Sequence, residues 1–300
     1  MENDRVQKHV KIVGDFLYRN LMETFLPFPV DLKYSSEWAR TGGVKNGGET
    51  IIFTSHMYQM ASLFKYYEKY IGLFGLTGGS KTIASLGSKL IKPQRSDMQR
   101  SEKILNNIYN ILKRNGIEAS YLYEKEPYSG ALLYELGFRE EFIEYGIKLK
   151  ERFKELGVRR IITSDPHTTN ALNRLKTLAG FDIPFNTYLE YMGNSRGDGN
   201  FVLHDSCLYS RFLGMYHSSR EIIKKAGLSL VEDPVYTSNG TSMCCGGPMG
   251  PIDSKLSDEI GRLRAEHLKK VNENILVLCP LCYANLSPFA KVYDLAEVVS

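Results

Sequence analysis

The sequence predicts an α/β fold built of two pseudo-repeated βα halves, with mainly parallel sheets behind a helical N-terminal lead-in. Three observations carry this. Short apolar runs alternate with amphipathic stretches, the pattern of βαβ units. A Pro-centred turn follows an apolar run twice, at Pro166 and at Pro280. The stretches 158–172 and 272–286 align without gaps, placing Ile161 on Ile275, Pro166 on Pro280 and Leu172 on Leu286, the mark of an internal repeat. A chain of 300 residues is long enough for each half to bury its own core.

Residues 1–50 read as the lead-in. Val10, Val13, Phe16, Leu17 and Leu21 recur at helical spacing. A Pro-containing loop and the glycines at 42–43 and 47–48 follow. The first half is expected over 51–195. Ile51–Phe53 reads as a buried strand and 58–70 as a helix, while 71–95, a mixture of Gly, Ser and Lys, reads as an insertion or cap. A helix over 101–115 is closed by Gly116, a strand follows at 120–123, a helix over 140–156 is closed by Gly157, and 160–163 is a strand. The second half is expected over 196–300. Its strands are 200–203, 228–231 and 275–278, its helices 220–226 and 253–271. The halves meet near 193–199, where Gly and Asn are dense.

Composition excludes several classes. With 43% hydrophobic and 24% charged residues, the chain is not disordered. The net charge of +4 is spread over 38 basic and 34 acidic residues, and no basic block argues for nucleic acid. The polar start, Met1 to Arg5, does not read as a signal or transit peptide. No stretch approaches the roughly 18 apolar residues of a spanning helix. The expectation is a cytoplasmic protein whose contact with a membrane, if any, runs through partners. Gly75–Gly79 followed by Ser80, Lys81 and Thr82 lacks phosphate-loop spacing. Tyr66, Tyr67 and Tyr70 recur at helical spacing and read as core or interface packing.

The cysteines carry the chemistry. All five lie in the second half: Cys207, the pair Cys244-Cys245 followed by Gly246, and Cys279-Pro280-Leu281-Cys282. A C-x-x-C pair at a strand-to-helix turn aims two sulfurs at one point, and the helix N-terminus stabilises thiolate. Gly246 lets the backbone pass close to a bulky group. Cys207, at the end of a strand, closes the site from a third direction. Adjacent thiolates suit a multinuclear cluster better than one tetrahedral ion. Zinc on four of them, or five thiols packed as small hydrophobes, are the alternatives.

This pattern closely resembles the CCG cysteine-rich domain of the heterodisulfide reductases, found in their HdrB-type and HdrD-type proteins. His204-Asp205-Ser206-Cys207 resembles that family's His-Asp-Pro-Cys, with Ser206 in place of Pro, and Arg211 matches the Arg that follows. The resemblance runs from about residue 20 to the C-terminus. It implies one noncubane [4Fe–4S] cluster on Cys207, Cys244, Cys245, Cys279 and Cys282, and thiol–disulfide or sulfur-compound redox in a complex. The implied partners are a ferredoxin-like, HdrC-like iron–sulfur protein and a flavoprotein, with a small thiol or disulfide as substrate. A non-catalytic relay or adaptor is the alternative. The family carries two clusters, whereas here the first copy has lost its cysteines: His56, Tyr128-Ser129, Asp165 and Thr168 stand in their places. The candidate catalytic residues are His204 and Arg211, as positive charge beside a developing thiolate, and Tyr128 and His167, as pocket lining or proton donors. His56, Asp165 and His167 could in principle hold a metal.

Overall fold

The computed structural model describes residues 2–28, 32–63, 95–240 and 242–300. The proposed insertion at 71–95, apart from Arg95, lies outside these residues, as do Tyr66, Tyr67, Tyr70 and the Gly75–Thr82 stretch. The lead-in forms α1 (Glu2–Thr24), which buries Val13, Phe16, Leu17 and Leu21, the stripe its spacing predicts.

The first half then runs β1 (Thr50–Phe53), α2 (Arg95–Arg114), α3 (Arg139–Glu155), β2 (Arg160–Thr163), α4 (Pro166–Leu178) and β3 (Phe185–Thr187). The second runs β4 (Asn200–Leu203), α5 (Tyr216–Lys225), β5 (Ser229–Leu230), α6 (Ser254–Lys269), β6 (Asn274–Val277), α7 (Pro280–Leu286), β7 (Lys291–Asp294) and α8 (Leu295–Val298). The strand order is β1-β2-β3 in one sheet and β5-β4-β6-β7 in the other, and every strand pair is parallel. The expected strand at 120–123 is reduced to parallel bridges, Ser120 to Ile51 and Tyr121 to Asn46. Tyr123 turns into a single 3-10 turn with φ 54°, which ends the pairing. These bridges stand on the outer edge of β1 where β5 stands beside β4, so the two sheets share one topology.

The strands read as continuous apolar runs because both faces are covered. Ile51, Phe53, Ile161, Val202, Ile275 and Val277 pack in one layer with α1, α3 and α6. Ile52, Ile162, Leu203, Leu276 and Leu278 pack in the other with α2, α5 and α8. Both layers run through both halves.

The halves are tied by reciprocal bonds. Tyr58 donates its hydroxyl to Asp294 Oδ2 at 2.9 Å, and Tyr209 and Thr187 share a hydroxyl hydrogen bond of 2.8 Å. Thr187 and Asp294, the last residues of β3 and β7, cap the helical turns that follow, each in a capping box, with Glu190 and Glu297. Each half therefore sends a tyrosine into the other half's cap. Among the described residues, no helix is long and apolar enough to cross a membrane.

Candidate iron–sulfur site

The sulfurs converge from three elements of the second half. Cys279 is the extended N-cap residue of α7, with Pro280 in its first turn. That geometry swings Cys282 onto the same side one turn later. Cys244 and Cys245 lie on the loop before α6. Gly246 there has φ 86°, and a Cβ on it would come within 2.9 Å of the Ser257 carbonyl oxygen, so the turn requires glycine. The N–H groups of Gly246 and Gly247 point at the sulfurs of Cys244 and Cys245, each at 3.4 Å. Cys207 does not end β4, as expected, but caps a π-helical turn, Leu208–Phe212, four residues beyond it.

Two residues that the motif reading missed hold the Cys-Cys turn. Asn285 donates to the carbonyl of Cys245 at 2.6 Å and to that of Ser257 at 2.9 Å. Ser257 donates to the carbonyl of Gly246 at 3.0 Å. Their sequence signal is a small polar residue on an otherwise apolar helix face. On the other side, Arg220 grips Asp205 through both carboxylate oxygens at 2.8 Å and stacks over Tyr216 at 3.6 Å, which fixes the loop that carries Cys207.

The five thiols form a chain of neighbours: Cys207 with Cys244, Cys244 with Cys245, Cys245 with Cys282, and Cys282 with Cys279. None is in a disulfide. Cys245, Cys279 and Cys282 are buried, whereas Cys207 and Cys244 are half-buried, so the group opens to its surroundings along one edge. Hydrogen bonds from Cys207 and Cys245 draw the Cys244 thiol down. Burial pushes Cys279 up, but the hydrogen bond from Cys282 and the adjacent His167 outweigh it and bring it to about 5. Cys207, Cys245 and Cys282 are pushed up, chiefly by hydrogen bonding to neighbouring thiols. Five sulfurs gathered at one place, with backbone N–H donors on two of them, suit cationic iron.

A buried cation stands behind the sulfurs. Arg264 on α6 is 1% exposed. It donates Nε–H to His204 Nδ1 at 3.2 Å and an Nη2 hydrogen to Ser242 Oγ at 3.5 Å. Burial lowers its pKa to about 10, against the pull of Asp205 and of Cys282 and Cys245. A buried guanidinium with neutral hydrogen-bond partners calls for negative charge nearby, which bound thiolates supply. A ring nitrogen of His204 lies within 4.8 Å of the sulfurs of Cys245 and Cys282, and its Nε2 is buried without a partner. The residues present therefore fit an iron–sulfur group. The expected positive charge on His204 is corrected: burial and Arg264 drive its pKa to about 3, so it is neutral. Arg264 holds the charge instead.

The remaining candidates separate. Arg211 is exposed and donates to the Ser242 carbonyl at 2.5 Å; Asp205 is held by Arg220. Tyr128 is buried in the first half, where its hydroxyl accepts the Leu132 N–H at 3.1 Å. His167 does reach the cysteines: its Nε2 lies 3.3 Å from Cys279 Sγ, and its Nδ1 2.6 Å from Glu135 Oε1.

The positions of the first half that match the cysteines are filled by a buried polar network. Glu126, 2% exposed, accepts from the N–H of Thr54 at 2.7 Å, that of Ser55 at 3.2 Å, and the hydroxyls of Thr54 at 2.8 Å and Tyr121 at 2.6 Å. His56 Nδ1 pairs with Ser35 Oγ at 2.6 Å and Nε2 with the Glu126 carbonyl at 3.0 Å. Ser55 donates to Ser129 Oγ at 2.9 Å, and Asp165 accepts from the N–H and hydroxyl of Thr168 at 3.0 and 2.6 Å. Both ring nitrogens of His56 are thus engaged, and the metal reading of His56, Asp165 and His167 gives way to a hydrogen-bonded plug.

Comparison with known proteins agrees with the motif reading. Residues 201–287 match the Cysteine-rich domain (CCG) family. Among curated proteins, it is 28% identical over 214 residues to the "Probable iron-sulfur-binding oxidoreductase FadF" of Bacillus subtilis, covering 67% of this chain and 30% of that one. It is 24% identical over 229 residues to the "EtfAB:quinone oxidoreductase" of Syntrophomonas wolfei (67% and 32%). It is 25% identical over 227 residues to the "Probable membrane-anchored ferredoxin" of Chromohalobacter salexigens (67% and 34%). The chain spans about a third of the length of these relatives.

Proposed function

We propose that the chain is an electron-transfer unit holding one [4Fe–4S] cluster of the noncubane kind on Cys207, Cys244, Cys245, Cys279 and Cys282. In this reading 51–195 is a degenerate CCG-like domain, 196–300 the cluster-binding one, and 1–50 a helical extension. The bound group supplies one-electron exchange. The chain's residues do the rest. The thiolates hold it, Arg264 offsets its charge, and the Gly246 and Gly247 N–H groups stabilise the ligand sulfurs.

The observation that favours a relay is burial. Cys245 and Cys279 are 2% and 1% exposed, and His167 closes the side where the family resemblance would place a substrate and a second cluster. Electrons would pass through the half-buried edge at Cys207 and Cys244. The fitting partners are a flavoprotein on one side and a ferredoxin-like iron–sulfur domain or quinone-linked protein on the other, in line with the names of the relatives. Thiol–disulfide chemistry within a heterodisulfide-reductase-like complex is the second reading, favoured by that same edge, through which a small sulfur compound could approach.

Anaerobic iron and sulfide analysis with EPR, before and after adding thiols, tests both. About four irons and four sulfides per chain with a signal indifferent to thiols is the result expected of a relay. A signal that thiols reshape supports the second reading, and zinc or no metal overturns both.

A further inference from the structure

The halves do not merely pack together: one reaches into the other's site. His167 sits in the first turn of α4, on the cysteine-free half, at the position that Leu281 takes in the repeat. Its ring bridges Glu135, on the short helix Ala131–Glu135, and Cys279 at the head of α7. The side chain is 4% exposed and that of Glu135 11%. A carboxylate accepts only, and so does a thiolate engaged by iron. With acceptors at 2.6 and 3.3 Å, both ring nitrogens must carry hydrogen.

We propose that His167, oriented by Glu135, is a positioning residue for the cluster of the opposite half, giving its Nε2–H to the Cys279 sulfur and raising the reduction potential of the group bound there. The physical basis is general. An N–H directed at a ligand sulfur stabilises the more negative, reduced state, and outer partners of metal ligands tune the site. The inference rests on the reading that Cys279 ligates iron. It gives the cysteine-free half a task in the redox chemistry without a second cluster. It also accounts for the asymmetry of the repeat, where a donor faces the cysteine-bearing turn and Leu281 occupies the matching place.

The test uses the full chain purified anaerobically with its iron. Iron and sulfide content, the midpoint potential from EPR-monitored titration, and proton ENDOR after exchange into deuterated water are measured for wild type, His167→Leu, His167→Gln and Glu135→Gln. The expected result is unchanged iron and sulfide, with the midpoint shifted to lower potential in H167L and to a lesser extent in E135Q. H167Q, which keeps an N–H donor, recovers most of the shift. Wild type shows an exchangeable proton coupled to the cluster that H167L loses. An iron-loaded H167L with wild-type potential overturns this inference and leaves the cluster reading standing. Wild type without iron overturns both. Should H167L fail to load, E135Q decides, and an iron-loaded E135Q with wild-type potential overturns the proposal.

Discussion

The two halves share a topology and differ in what occupies one point of it. Cys279 and Asp165 take the same place, each an extended N-cap before a proline, with φ −146° and −150°. Gly246 and Gly130 take the same left-handed turn, φ 86° and 79°. At the first ligand position the halves diverge. Cys207 is helical at φ −55°, whereas Ser55 and His56 are both left-handed, at φ 50° and 56°. Non-glycine residues in that region cost about 1–2 kcal/mol each, and here Glu126, Ser129 and Ser35 hold them. Where cysteines are absent, the turn geometry survives and hydrogen bonds fill the space that sulfur and iron would take. A buried polar site must be satisfied by something. One half meets these positions with its own hydrogen bonds, and the other brings five sulfurs together there.

The most severe break of this comparison is at Asp165 and Cys279. Cys279→Ser should strip the protein of iron and sulfide, while Asp165→Asn, still a competent N-cap, should leave both at wild-type levels, as read by metal and sulfide analysis. Next is Glu126→Ala, which orphans the N–H of Thr54 and the hydroxyl of Tyr121 in the interior. An unsatisfied buried group costs about 1–3 kcal/mol, so denaturant unfolding should show a loss of roughly 3 kcal/mol with iron content retained; a loss below about 1 kcal/mol would mean that the network is dispensable.

The glycine pair sharpens the comparison further. Gly130→Ala and Gly246→Ala each impose a left-handed residue, worth about 1–2 kcal/mol, and a Cβ contact of 2.9 Å. Both variants should unfold earlier, but only G246A should lose iron, because its turn carries Cys244 and Cys245. Equal iron in the two would argue that the Cys-Cys turn does not bind it.

A smaller effect is the pH dependence of stability. Burial raises the Asp165 pKa from 3.8 to about 7, against the pull of His167 and Thr168. Between these values the folded state keeps a proton that the unfolded chain has released, so this residue's contribution is full below about pH 4 and is lost as pH rises toward 7. Unfolding free energies of D165N should fall less steeply than wild type across that window, and parallel curves would contradict the assignment. The slightest effect belongs to Arg211→Ala. A single part-buried hydrogen bond to a carbonyl contributes about 0.5–1.5 kcal/mol, so stability should drop by no more than that, with iron and midpoint unchanged.

Much of this was legible in the chain itself. Apolar runs such as Ile51–Phe53 and Ile275–Val277 announce strands covered on both faces, and helix periodicity announces α1 and α3. The cysteine spacing and the Pro-centred turns mark the site, because motif geometry is local: a proline, a helix start and two sulfurs one turn apart lie within a single short stretch. Less local features escaped. β3 is three residues long, with only Thr187 fully covered, too short for a periodic signal. The bridge at Ser120 reads as a strand until Tyr123 turns it away. Arg211, not Arg220, stands nearest the cysteine motif in sequence, yet Arg220 binds Asp205, because one turn of α5 brings it back over the loop.

Sequence by itself determined the α/β class, the repeat, and the five sulfurs that would share one point, since periodicity and short-range spacing encode all three. Only the tertiary structure decided that Arg264, from a helix with no motif, is the buried charge behind them and leaves His204 neutral. It alone decided that the cysteine-free half is sealed by Glu126 and sends His167 across to Cys279. The contacts of Arg264 with His204 and of His167 with Cys279 join residues 60 and 112 positions apart, and nothing local to either partner records them; they follow from how the two sheets and their helices pack against one another.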